Sequence, residues 1–288
     1  MMCALGAVAH DSPEHQIEAL TAKMAANGKS AELLSRRAIE WRALGKLESS
    51  KADLAEALTL KPESSALWAD LARVCASLRQ PDAAIAAIDQ ALRVAAKEAD
   101  SSVLLVARGE ILESAGKFEL ALADCEKAFQ LKPAAPDWYL MRARLQFRCG
   151  KLSEAAAGLK EGYERTGSAV LEIEWIEAMI DAGANEAALE RIEPRIDRSR
   201  WQAGWLIRRA RAQLGLGQQA RAKEDLQAAL AELSRRIRTD SPDPTLISER
   251  GLARALLGQR DAALEDLKLV RKLCGENMAL HRLEAVVR

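Results

Sequence analysis

Gly116 is followed by Lys-Phe-Glu-Leu and then by Ala-Leu-Ala-Asp-Cys-Glu-Lys-Ala-Phe over residues 121–129. The stretch is made of strong helix formers, with small residues at Ala121, Cys125 and Ala128 on one side. The glycine in front of it ends another helix-like stretch. The same arrangement recurs along the chain. Gly45, Gly116, Gly150, Gly183, Gly217 and Gly258 each close one such stretch, and an apolar, Ala-rich stretch begins three to five residues later. From Gly116 onward the spacings are 34, 33, 34 and 41 residues. A fixed period in this range marks a solenoid, in which each unit buries its apolar face against its neighbours. The repeat alone predicts one continuous all-α array without a single centre.

Composition agrees with this reading and narrows the function. The chain has 288 residues, 49% of them hydrophobic but only 4% aromatic, and no alternating β-branched run competes with the helical pattern. Lys+Arg and Asp+Glu both number 42, so the net charge of zero gives no electrostatic case for nucleic acid or an anionic membrane. No stretch approaches ~20 consecutive apolar residues, so no membrane insertion is expected. Five cysteines (Cys3, Cys75, Cys125, Cys149 and Cys274) form no C-x-x-C pair, and the three histidines are His10, His15 and His281. Zinc-type spacing is therefore absent, and Cys75 and Cys125 read as small buried hydrophobes.

Aligned by period, the units share a finer pattern. Counted from Ala31, the first has Leu34, Ala38, Trp41, Gly45, Leu54, Ala57 and Pro62. The second, from Ser65, has Trp68, Ala72, Ala84 and Ala91, with Arg79 where the glycine is expected. The third, from Ser102, has Leu105, Gly109, Gly116, Ala121, Ala128 and Pro133; the fourth, from Pro136, has Tyr139, Ala143, Gly150 and Ala155. The fifth, from Ala169, is degenerate, and Pro194 falls inside its second helix, where a proline should kink or shorten it. The sixth starts at Ala203 and the seventh at Pro244, with a turn-rich insertion around residues 240–244. This pattern over residues 31–273 resembles the tetratricopeptide repeat, two antiparallel helices in roughly 34 residues. The resemblance implies an all-α, right-handed solenoid of about seven helix-turn-helix repeats with capping helices.

An internal correlation fixes the register. Arg37, Arg108, Arg209 and Arg250 occupy the seventh position, and Asp53, Asp124, Asp225 and Asp266 lie sixteen residues later. Units two and five lack both members, and unit four has Arg142 opposite Gly158. These pairs are expected to bridge the two helices of a hairpin, each contributing ~0.5–1 kcal/mol as a partly exposed ion pair.

The ends carry separate signals. Ser12-Pro13-Glu14 reads as a helix N-cap, and Gly28 as its end, so residues 10–30 are expected to hold a capping helix. Residues 274–288 place Met278, Leu280, Leu283 and Val286–Val287 on a second capping stripe. Residues 1–9 end in Ala7-Val8-Ala9, which looks like a signal-peptidase junction. A signal-peptide remnant and export to the periplasm are the expectation; a short cytoplasmic N-terminus is the alternative.

No phosphate loop, nucleophile elbow, zinc-protease helix or dinucleotide fingerprint is present in the sequence, so a non-catalytic chain with no cofactor and no metal is expected. What the tetratricopeptide resemblance implies is a protein or peptide partner held in a concave groove lined by the first helix of each unit. Groove positions include Arg42, Arg73, Glu110, Arg144, Arg148, Glu177 and Arg211, together with Glu32, Glu113 and Asp181. Guanidinium forks suit carboxylates; the alternative is that the arginines pair with neighbouring groove glutamates. Family members that hold chaperone tails use a Lys/Asn clamp, but Ser35 and Ile39 stand at those positions here. A structural subunit assembling through its end helices is the second reading.

Overall fold

The computed structural model describes residues 12–95, 98–131, 135–274 and 278–287. Every regular element among them is a helix: α1 Pro13–Asn27, α2 Ala31–Ala43, α3 Leu47–Leu60, α4 Ser65–Ser77, α5 Pro81–Val94, α6 Glu98–Ser114, α7 Phe118–Leu131, α8 Pro136–Arg148, α9 Leu152–Thr166, α10 Ala169–Asp181, α11 Asn185–Arg198, α12 Ala203–Gly215, α13 Gln219–Arg236, α14 Pro244–Leu256, α15 Arg260–Cys274 and α16 Met278–Val287. Seven consecutive helix pairs, α2/α3 to α14/α15, lie between α1 and α16, and the fold is the all-α solenoid expected. The chain divides into two compact units, one up to Trp138 and one from Tyr139. The signal-like residues 1–9 lie outside the described residues, as do His10 and Pro133.

The turns explain the glycine period. Gly45, Gly116, Gly150, Gly183, Gly217 and Gly258 all have φ between 70° and 80°. At each, two amides turn back on the preceding helix: the Gly116 N–H donates to Glu113 C=O and the Lys117 N–H to Leu112 C=O, both at 2.9 Å. This closure needs a left-handed residue, which glycine adopts without a Cβ penalty. In the second pair the same closure forms without glycine. Arg79 donates to Ala76 and Gln80 to Cys75, both at 2.9 Å, and Arg79 takes φ 57°. The left-handed state costs a side-chain-bearing residue ~1–2 kcal/mol, against ~0.5–1 kcal/mol for the extra freedom glycine loses on folding. Arg79→Gly is therefore expected to stabilise the first unit by about 0.5–1 kcal/mol, and Gly116→Ala to destabilise it. Urea unfolding of the two variants checks the opposite signs.

Small residues set the helix spacing. Ala57, Ala72, Ala84, Ala91, Ala121 and Ala128 are fully buried in the first unit, as are Ala188, Ala210, Ala222, Ala229 and Ala263 in the second. Cys75 and Cys125 stand where other units carry larger apolar residues, and both are buried; burial pushes the Cys75 thiol upward, so it stays protonated and inert. In the first unit, Leu20 and Met24 of α1 join Leu34, Leu54 and Leu67 in one core, so α1 covers the open side of the first pair. Ser12 caps α1 by accepting the His15 N–H at 3.4 Å.

One expectation is corrected and one refined. Pro194 does not shorten its helix: α11 runs 14 residues, as α3 does. Buried Ile192 and Ile196 anchor the helix on both sides of the proline. The long spacing before the seventh pair is only partly loop, because α13 extends to 18 residues. Its last turns have a task. The Glu232 carboxylate accepts the Gln202 N–H at 2.9 Å and the Ala203 N–H at 3.2 Å, capping α12, which has no side-chain cap of its own.

Candidate partner-binding surface

The seventh-position arginines stand where the register puts them. Arg37, Arg108, Arg209 and Arg250 each donate two bonds, from Nε and Nη2, to both oxygens of the aspartate sixteen residues later, at 2.6–3.2 Å. The aspartates are buried, Asp124 to 3% and Asp266 to 2% exposure. These are forked pairs, partly exposed at the arginine as expected but with the aspartate buried, so breaking one costs more than a surface bridge. They staple these four hairpins from the side and are structural. Where Asp is missing, Arg142 reaches the Glu161 carboxylate at 3.2 Å.

Successive first helices touch one another: α4 touches α6 in the first unit, and α10 touches α12 and α12 touches α14 in the second. Their shared face holds the candidate groove residues. In the first unit, Glu32, Arg42, Arg73 and Glu110 are exposed and Glu113 is half-buried. Arg73 pairs with Asp70 at 2.5 Å, one turn away.

In the second unit the same face is crowded with charge. Glu177 of α10 is buried to 4% and lies between three guanidinium groups. Arg208 approaches it at 2.9 Å, Arg211 bonds it directly, and Arg282 of α16 stands 3.6 Å away. Arg211 also binds Asp181, so it pairs with groove carboxylates, as the alternative reading had it. Burial alone would push the Glu177 carboxyl up, but Arg282, Arg211 and Arg208 together hold it at about 2. For Asp181 and Glu249 burial wins and both are shifted upward. Gly204 makes room for the Glu249 carboxylate, since a Cβ there would meet its Oε1.

Beside this network lies a cavity of about 150 Å³ between α8 and α10. Leu140, Ala143, Phe147, Val170 and Ala178 line it, and Arg144, Glu174, Asp181 and Arg282 form its polar part. Val170 is 55% exposed at its mouth. Arg144 is half-buried and Arg148, one turn on, is exposed. The candidate residues of this unit thus serve different ends: Arg144 borders the cavity, while Glu177 and Arg211 belong to the buried network. Sequence reasoning missed Arg282 and Glu249 as members, while Glu174, Glu177 and Asp181 stand on an acidic stretch whose neighbour carries Arg208, Arg209 and Arg211. Arg208 was legible as part of a basic helix opposite an acidic one; Arg282 stands 108 residues from Glu174, and no local spacing signals that contact.

Among the described residues no group of three or more His, Cys, Asp or Glu side chains is placed to hold a metal ion, and no helix is long and apolar enough to cross a membrane.

The tetratricopeptide-repeat family model matches residues 65–98 and 103–134, which span the second and third pairs. Among curated proteins, none matches this sequence. Among solved structures, a tetratricopeptide repeat protein from Parabacteroides merdae is similar with 18% identity and a TM-score of 0.64, covering 89% of this chain and 98% of that one. YrrB, described as a tetratricopeptide-repeat protein with an unusual peptide-binding site, is 14% identical with a TM-score of 0.52, covering 75% and 97%. The Cut9–Hcn1 hetero-tetramer of APC/C is 13% identical with a TM-score of 0.53, covering 96% of this chain and 46% of that one. At these identities the structural likeness speaks for the fold. The two matched units are thus tetratricopeptide repeats, and the paired helices of the described residues have the fold of a tetratricopeptide-repeat solenoid.

Proposed function

We propose that the chain is a non-catalytic scaffold that holds a polypeptide partner on the first-helix face of its second unit. The observation that carries this is the apolar cavity between α8 and α10, with Val170 exposed at its mouth and Arg144 beside it. An apolar side chain of the partner enters the cavity, and Arg144 and Arg148 receive acidic groups of the same segment. Burial of one such side chain contributes ~1.5–3 kcal/mol, enough to serve as an anchor. The repeat family supports a protein-binding role in general, and the peptide-binding site named for YrrB supports peptide capture on this fold.

The test uses a partner captured from the native source and then purified. Val170→Glu with Arg144→Glu should weaken its binding at least tenfold while helicity stays unchanged. Arg73→Glu asks the same of the first unit's face. If affinity survives these changes and is lost on altering α1 or the exposed Leu273, the chain assembles through its ends and the groove reading fails.

A further inference from the structure

Among the described residues, the largest concentration of buried charge is held together by a residue from α16. Arg282 is 8% exposed and meets Glu174 at 2.8 Å, Glu177 at 3.6 Å and Asp181 at 3.6 Å, all on α10. Next to it, Leu283 is fully buried against Gly251 of α14, whose missing side chain leaves the space. Val287, one turn further, is also buried. Helix α16 packs on α14 and α15, and its arginine reaches across to α10. It therefore covers part of the first-helix face, and Arg282 forms one wall of the cavity.

Arg282 brings a cation to that face from outside it. Glu174, Glu177, Asp181 and Glu249 supply four carboxylates, and Arg208 and Arg211 answer two of them. Without Arg282, Glu174 loses its ion pair, and Glu177 and Asp181 each lose one of their cations, which is unfavourable. Yet Arg282 fills the role imperfectly. Its Nε has no hydrogen-bond partner, and neither has Asp181 Oδ2. A buried donor and acceptor left unmade are each unfavourable. The hairpin arginines, by contrast, fork onto their aspartates with both bonds made. Helix α16 is also only ten residues long, too short to persist by itself in water.

We propose that α16 is a displaceable occupant, and that the surface under it takes an amphipathic helix of a partner, bearing an arginine immediately before an apolar residue. Resting on the reading of this face as the partner surface, the inference adds the partner's chemistry and its competition with α16. A partner arginine that forks onto Glu174 and Asp181 makes the bonds Arg282 leaves unmade, and its apolar neighbour replaces Leu283 against Gly251.

The test needs no native partner. The probe is a fluorescent synthetic peptide with the sequence of residues 278–288, offered to the full chain and to its Leu283→Asp and Arg282→Ala variants. Hydrogen exchange reports whether α16 has left, and circular dichroism whether α10, α12 and α14 remain folded. The expected result is fast exchange of α16 in the variants, native helicity elsewhere, and peptide binding at least tenfold tighter than to the unaltered chain. A peptide carrying Arg282→Ala should lose that binding. The proposal is overturned if α16 stays protected in both variants, if both lose the helicity of the second unit, if the freed face does not bind the peptide, or if binding ignores the peptide's arginine. Failure here with the Val170→Glu effect intact removes only the role of α16; the reverse pattern removes the cavity as the anchor.

Discussion

Glu177→Gln is expected to lower the unfolding free energy of the second unit by about 3–5 kcal/mol, the range for removing one member of a buried ion network. The substitution keeps the side-chain shape and removes only the charge on which Arg208, Arg211 and Arg282 converge. The acid response gives a second reading of the same residue. In the unfolded chain its carboxyl titrates near 4.5, and in the folded chain at about 2. Its contribution is therefore complete above pH 4.5 and is lost as pH falls through about 2. Asp181 and Glu249 shift the other way, so their protonation on acidification relieves the face. Glu177→Gln should remove the steep loss of stability below pH 4.5 and leave the opposing trend. Urea titrations at a series of pH values would show it. An unchanged acid limb would mean that Glu177 is not the centre of the network.

How much of this was legible in the sequence depended on distance along the chain. The Arg–Asp staples were, because both partners belong to one hairpin and recur sixteen residues apart. So were the turns, because the closure demands a left-handed residue and glycine supplies it. Arg79 shows the limit of that signal: the two closing hydrogen bonds impose the geometry even where the residue resists it. Pro194 shows another, since local helix chemistry predicts a shortened helix and the packing of Ile192 and Ile196 keeps its full length. The contact of Arg282 with α10 was illegible for the opposite reason. It depends on where the last described helix lies across three earlier ones, and no periodicity encodes that.

The second large effect concerns the staples and is asymmetric. Arg108→Ala should destabilise the first unit by about 2–4 kcal/mol, and Asp124→Ala by about half as much. Removing the arginine strands Asp124, 3% exposed, as an uncompensated carboxylate. Removing the aspartate leaves an arginine whose side chain is 24% exposed and still bonded to Asp89 at 2.6 Å. The hydrogen bond to Asp124 is the chief reason the Arg108 guanidinium holds its proton more tightly than usual. Replacing both members together, as Arg108→Met with Asp124→Leu, should recover most of the loss, because no charge then remains buried. Denaturant unfolding of the four proteins closes the cycle. Equal costs for the two single substitutions would show the pair to be an ordinary surface bridge.

The central claim is that the first-helix face of the second unit is where a partner sits. Hydrogen exchange of the chain with its captured partner bound tests it most directly. The account predicts added protection in α8, α10, α12 and α14, with faster exchange in α16 as it is displaced. Protection confined to α1, or to α9, α11 and α13 while α16 stays unchanged, would contradict it.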